Sequence, residues 1–93
     1  MGKTVYSRGN FIVFRTQDGW VVYNVKKKFS EGHTHLKSFK SAKDLVGFST
    51  ECRVPMKADI YYLTSLQRVT TNKDYYNKLQ QRIEEVQQYG RYC

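Results

Sequence analysis

Residues 10–25 restrict the fold more than any other part of the chain. Phe11-Ile12-Val13-Phe14-Arg15 and Trp20-Val21-Val22-Tyr23-Asn24-Val25 are built mainly from β-branched and aromatic residues, the types that pack well on a pleated surface. Gln17-Asp18-Gly19 stands between them. Asp-Gly between two apolar runs signals a tight hairpin, and Gly19 adopts the positive φ of such a turn without steric cost. Both runs are apolar at successive positions, so neither face of the hairpin is a wet face. Helices are expected on one face. More of the chain, or a partner, is expected on the other, which leaves room for a homodimer.

The remaining elements follow from periodicity and caps. Residues 26–32 read as a loop, and Thr34-His35-Leu36-Lys37 as a short third strand. Ser41 followed by Asp44 resembles a capping box. It opens a first helix that runs to about Cys52, with Leu45, Phe48 and Cys52 on one face. Pro55 closes that segment near the start of the next. A second helix is predicted over 57–69, with Ile60, Leu63 and Leu66 as its apolar stripe. Thr70-Thr71-Asn72 breaks the chain with good N-cap residues. A third helix follows over 73–89, with Tyr75, Leu79, Ile83 and Val86 at helical spacing and Gly90 as its stop. Strands first and helices second give an α+β domain. It is a small antiparallel hairpin or three-stranded sheet followed by three helices packed on one face.

Ninety-three residues suffice for one small domain. They bury about 60–65% of the unfolded surface, and that excludes a Rossmann or barrel scaffold. No apolar run approaches the roughly 20 residues of a membrane span, and the first residues lack a signal-peptide core. A cytoplasmic protein with no membrane contact is expected. Cys52 and Cys93 are too sparse for a disulfide framework. Cys52 reads as a reduced core residue and Cys93 as an exposed terminal thiol.

Charge points to a partner. The net charge is +8, and it is unevenly spread: residues 1–43 carry +7 and residues 44–93 only +1. A segregated basic surface concentrates polyanions, so nucleic acid is the expected partner, with an acidic protein as the alternative. The densest stretch holds Lys26, Lys27, Lys28, Lys37, Lys40 and Lys43, interleaved with Phe29, His33, His35 and Phe39. Lysines neutralise phosphates, and aromatic or imidazole rings stack on bases. Arg8 and Arg15 on the strands extend the same basic surface. Phe39 itself reads as core.

His33-Thr34-His35 is the sharpest local pattern. On a strand both rings point to one face. Such a pair can begin a metal site, serve as acid and base in phosphodiester cleavage, or hold the adjoining loop. A structural metal site wants four ligands, and only Cys52 or Cys93 could join without invoking carboxylates. No glycine-rich phosphate loop and no nucleophile motif is present. Glu84-Glu85 read as a solvated face. The chain is expected to be non-enzymatic and to need no cofactor or metal. The alternatives are a small ribonuclease using His33 and His35, or a protein-directed adaptor using exposed aromatics. In Tyr61-Tyr62 and Tyr75-Tyr76, neighbouring rings diverge by about 100°, so one of each pair faces the core and the other the surface. Trp20, Tyr61 and Tyr76 are the aromatic candidates for contact with a protein partner. Tyr89, Arg91 and Tyr92 form a polar-aromatic tail.

Several short motifs occur in a fixed order: the hairpin, Phe29 to Gly32-His33-Thr34-His35, then Ser38-Phe39-Lys40-Ser41-Ala42-Lys43. Pro55 follows, before a helix carrying Tyr62-Leu63 and Leu66-Gln67-Arg68. From about residue 10 to 80 the chain resembles small, basic, uncharacterised proteins of Gram-positive phages, plasmids and conjugative elements. The resemblance implies an accessory role in a mobile element. Some proteins of that setting antagonise host defence, including anti-CRISPR inhibitors of guide-RNA nucleases. It brings no catalytic residues. The positive charge departs from acidic DNA-mimic inhibitors and suits the guide RNA of a nucleoprotein complex better than a DNA channel.

Overall fold

The hairpin forms where the sequence places it. In the computed structural model, which describes residues 3–90, β2 (Phe11–Thr16) and β3 (Gly19–Asn24) pair antiparallel from Thr16↔Gly19 to Phe11↔Asn24. Gly19 has φ +152, and a Cβ there would stand 2.6 Å from the Leu36 carbonyl oxygen. The turn therefore needs glycine for its backbone and for its clearance.

The sheet is larger than the sequence indicates. β1 (Thr4–Arg8) adds to the β2 side, and β4 (His33–Leu36) adds to β3, giving a four-stranded antiparallel sheet in the order β1-β2-β3-β4. The expected third strand is thus β4, one residue earlier than predicted. A single helical turn, α1 (Phe29–Gly32), interrupts the expected loop. Three longer helices follow: α2 (Phe39–Glu51), α3 (Ile60–Val69) and α4 (Lys73–Gly90). The fold is α+β, with four strands rather than two or three and one extra turn of helix.

The caps refine the helix boundaries. Ser38, not Ser41, caps α2: its Oγ accepts from the Ser41 backbone N–H at 3.1 Å. Asp59 caps α3 through Tyr62 N–H at 2.8 Å, so that helix starts three residues later than periodicity alone suggests. Asn72 accepts from Tyr75 N–H at 3.0 Å and starts α4 as expected. Cys52 is corrected from core to surface. It leaves α2 with φ +53, and that left-handed turn carries its side chain outward. Cys93, Arg91, Tyr92 and the side chain of Tyr89 lie outside the described residues.

The main core lies between one face of the sheet and the helices. Val13 and Val22 from the sheet meet Leu45 and Val46 of α2, Leu63 and Leu66 of α3, and Leu79 of α4, all without measurable exposure. Fully burying each such side chain contributes about 1.5–3 kcal/mol. Tyr75 is buried beside an exposed Tyr76, and a half-buried Tyr62 beside an exposed Tyr61, as the helical geometry of the two pairs requires. Among the described residues no helix is long and apolar enough to cross a membrane.

Candidate nucleic-acid interface

The opposite face of the sheet is built differently. Phe14 and Val21 point away from the helices, yet both are buried. Over Phe14 lies the turn after β3. Asn24 starts it: its amide donates to the Val69 carbonyl at 2.8 Å and its Oδ1 accepts from Lys26 N–H at 2.9 Å. Lys27 extends its ammonium to the carbonyls of Arg68 at 2.8 Å and Thr70 at 3.4 Å. A cation at the C-terminus of α3 is a stabilising cap. Gly32 makes this possible, because a Cβ there would lie 2.5 Å from the Cβ of Lys27.

The chain then turns back and lays Phe29 over the outer face. Its ring lies 6.2 Å from Phe14 and 5.2 Å from Tyr23, centroid to centroid. His33 stacks on it at 4.2 Å with the planes 4° apart, and donates from Nδ1 to the Phe29 carbonyl at 2.5 Å. A carbonyl oxygen can only accept, so this bond places a proton on Nδ1. His35 stands on the same face, 5.0 Å from His33 and edge-on to it, as strand alternation requires. The apolar outer face is thereby roofed by its own chain, so its apolarity alone does not demand a second copy.

Lys26 and Lys28 stand in the turn that leads into Phe29, exposed and without a carboxylate partner among the described residues. Arg68 of α3, which sequence reasoning did not single out as a basic contact, lies alongside. It donates to the Ser30 carbonyl at 3.0 Å and lines a cleft of about 260 Å³ together with His33, His35 and Tyr61. Its place in the last turn of a predicted helix was visible, but its approach to the loop 38 residues earlier was not.

The other predicted cations are elsewhere. Tyr23 pairs with His33 and Trp20 with Leu36, so Lys26 to Lys28 lie beyond one end of β4 and Lys37 beyond the other. Three strand steps, about 10 Å, separate the paired positions alone. Lys40 and Lys43 continue along α2. Lys40 pairs with Asp44 at 2.9 Å, and Lys43 lies over the Tyr6 ring at 5.5 Å. Arg8 reaches Glu51 at 3.3 Å, and Arg53, also unforeseen, reaches Glu51 at 2.8 Å. These residues line a separate groove of about 570 Å³ whose charges are largely paired. The crowded lysine stretch is therefore two basic regions, and Lys27 is used inside the fold.

The aromatic candidates also separate. Trp20 is engaged by Phe39 at 5.1 Å and by the Arg15 guanidinium at 5.5 Å. Tyr61 lies beside β4, where its hydroxyl donates to the His35 carbonyl at 2.7 Å. Tyr76 is exposed on α4, a helix whose main packing partner is α3 rather than the sheet. Trp20 and Tyr61 line a larger cleft of about 700 Å³ at the hairpin end, with Asp18, Lys37, His35 and Asp59 among its other walls.

Two phenols are perturbed. Burial, reinforced by the Asp44 charge, pushes the Tyr62 hydroxyl well above its ordinary range, and burial does the same for Tyr75. Both act as anchors, donating to Ser41 O at 3.0 Å and Arg53 O at 2.6 Å. Among the described residues no three His, Cys, Asp or Glu side chains gather as a metal site would require. Comparison with family models, curated proteins and solved structures returns no match.

Proposed function

We propose that the chain is a non-enzymatic nucleic-acid-binding module that grips RNA or DNA, free or within a nucleoprotein complex. The outer face of its sheet, around Phe29, His33 and His35, would make the contact. The stacked pair Phe29–His33 carries this reading. Arg68 shares a cleft with His33, and the exposed Lys26 and Lys28 stand in the turn that leads into Phe29, in a chain of net charge +8. Rings on a sheet supply base stacking, and adjacent cations supply phosphate neutralisation. The groove along α2 supports the reading less, because its cations already have carboxylate or ring partners. In the mobile-element setting that the resemblance implies, the module would act in the cytoplasm by holding the RNA of a host defence nuclease.

Fluorescence anisotropy with unrelated single-stranded oligonucleotides, repeated across a salt series, tests this. Affinity should fall steeply with salt, and Lys26→Ala and Lys28→Ala should each reduce the log–log slope by about one. Phe29→Ala should weaken binding to every sequence. A flat salt response, or no binding at low salt, refutes the proposal. Cleavage of the RNA by wild type, lost in His33→Ala and His35→Ala, would replace it with the ribonuclease reading.

A further inference from the structure

The hairpin-end cleft differs from the basic surface around it. Tyr61 forms one wall. Its side chain belongs to a residue 60% exposed, yet its hydroxyl is tied to the His35 carbonyl at 2.7 Å, so an open ring is held in one orientation. Trp20 adds an apolar wall. Two carboxylates, Asp18 and Asp59, line the same space. Asp59 uses one oxygen to cap α3, and among the described residues its second oxygen has no hydrogen-bond donor. Asp18 has none on either oxygen. An aromatic cleft lined by two carboxylates and one ammonium, Lys37, in a molecule of charge +8 selects for two properties at once. The long-range field gathers polyanions and repels cationic partners. Inside the cleft, an acceptor-only carboxylate repels phosphate and favours a group that presents donors.

A nucleobase on an otherwise anionic strand meets both demands. Guanine meets them best, because N1–H and the N2 amino group stand side by side on its Watson–Crick edge and match the two oxygens of one carboxylate. Adenine and cytosine each place an acceptor next to their amino group. Uracil flanks its single N–H with two carbonyls that a carboxylate repels. A volume of about 700 Å³ lies within the range of small-ligand sites. The cleft also shares His35 and Tyr61 with the smaller one beside His33 and Arg68. The two form one track along β4, with Lys37 near one end and Arg68 near the other.

We infer that the hairpin-end cleft accepts an unpaired guanine of a single-stranded nucleic acid, with the adjoining phosphates led along β4 toward His33 and Arg68. This rests on the nucleic-acid reading above and adds base preference to it. The test uses fluorescein-labelled RNA oligomers of uridine carrying one central guanine, adenine, cytosine or uracil, and the full-length protein. Guanine should bind about tenfold more tightly than uracil, the scale of one good bidentate contact. Asp59→Asn retains an N-cap acceptor and Asp18→Asn lies in a turn, so both should fold. Each should reduce the guanine-to-uracil ratio, and the double variant should bring it near one.

Four equal affinities with a steep salt slope overturn this inference and leave the binding module standing. No binding by any oligomer at low salt overturns both. An arginine-containing peptide that binds wild type but not the double Asn variant, while the guanine ratio stays at one, assigns the cleft to a protein partner and overturns the inference alone.

Discussion

The two faces of the sheet are both apolar, and they are covered by different means. The helix-facing side is sealed by α2 and α3, backed by α4, around Val13, Val22, Leu45, Leu63 and Leu66, which show no exposure. The outer side also buries Phe14 and Val21, but the ring that lies over Phe14, Phe29, remains 37% exposed. The turn that carries Phe29 is held largely by polar and ring contacts: the Asn24 amide on Val69, the Tyr23 hydroxyl on the Lys27 carbonyl, Lys27 on the end of α3, Arg68 on the Ser30 carbonyl, and the stacking of Phe29 and His33. The helix-facing side spends its residues on stability. The outer side keeps rings and cations accessible at some loss of burial, which is what a recognition surface requires.

The largest effect separates the faces directly. Leu66→Ala on α3 removes a side chain with no exposure and should cost about 3 kcal/mol. It should lower the urea midpoint and leave the affinity of the remaining folded fraction unchanged. His33→Ala on the outer face should cost about 1 kcal/mol, the scale of one hydrogen bond with a partly exposed ring stack. It should nevertheless weaken oligonucleotide binding several-fold. Equal stability losses at the two positions, or unchanged binding in His33→Ala, would erase the distinction drawn between the faces.

A smaller effect tests the division within the lysine run. Lys27→Met keeps an apolar stem and removes the ammonium that caps α3. About 1 kcal/mol of stability should be lost, with little change in the salt slope of binding. Lys26→Met and Lys28→Met should reverse that pattern, lowering the slope and leaving the midpoint in place. If all three lysines behave alike, the structural role given to Lys27 is wrong.

Legibility in the sequence followed the range of the interaction. The hairpin was readable because Asp18-Gly19 and its flanking runs are local signals, and the His33–His35 face was readable because strand alternation is local too. β1 was missed. Its stretch Thr-Val-Tyr-Ser-Arg alternates weakly, and it is mostly exposed, with an irregular register between Thr4 and Tyr6. α1 was missed because four residues show no helical period. The splitting of the basic stretch into two regions follows from β4 running back along β3, a long-range fact that spacing along the chain does not encode. Lys27 as the cap of a helix 41 residues away is the same kind of fact. The carboxylates of the hairpin-end cleft, Asp18 and Asp59, come from a turn and a helix cap, and each has an ordinary local reason to be where it is.

The smallest effect appears at high pH, in the buried phenols behind the helix-facing side. Tyr75 and Tyr62 are held protonated by burial, with phenol pKa values raised above the ordinary 10.0. In the unfolded chain the same phenols ionise near that ordinary value. Between the two limits the native state binds protons that the unfolded state releases, so stability falls as pH rises. The stabilisation is complete below about pH 10 and declines above it. Tyr75→Phe loses the bond to the Arg53 carbonyl, about 1 kcal/mol at neutral pH, yet its urea midpoint should fall less between pH 8 and pH 10.5 than that of wild type. Parallel curves for Tyr75→Phe and wild type would show that this buried phenol is not coupled to folding.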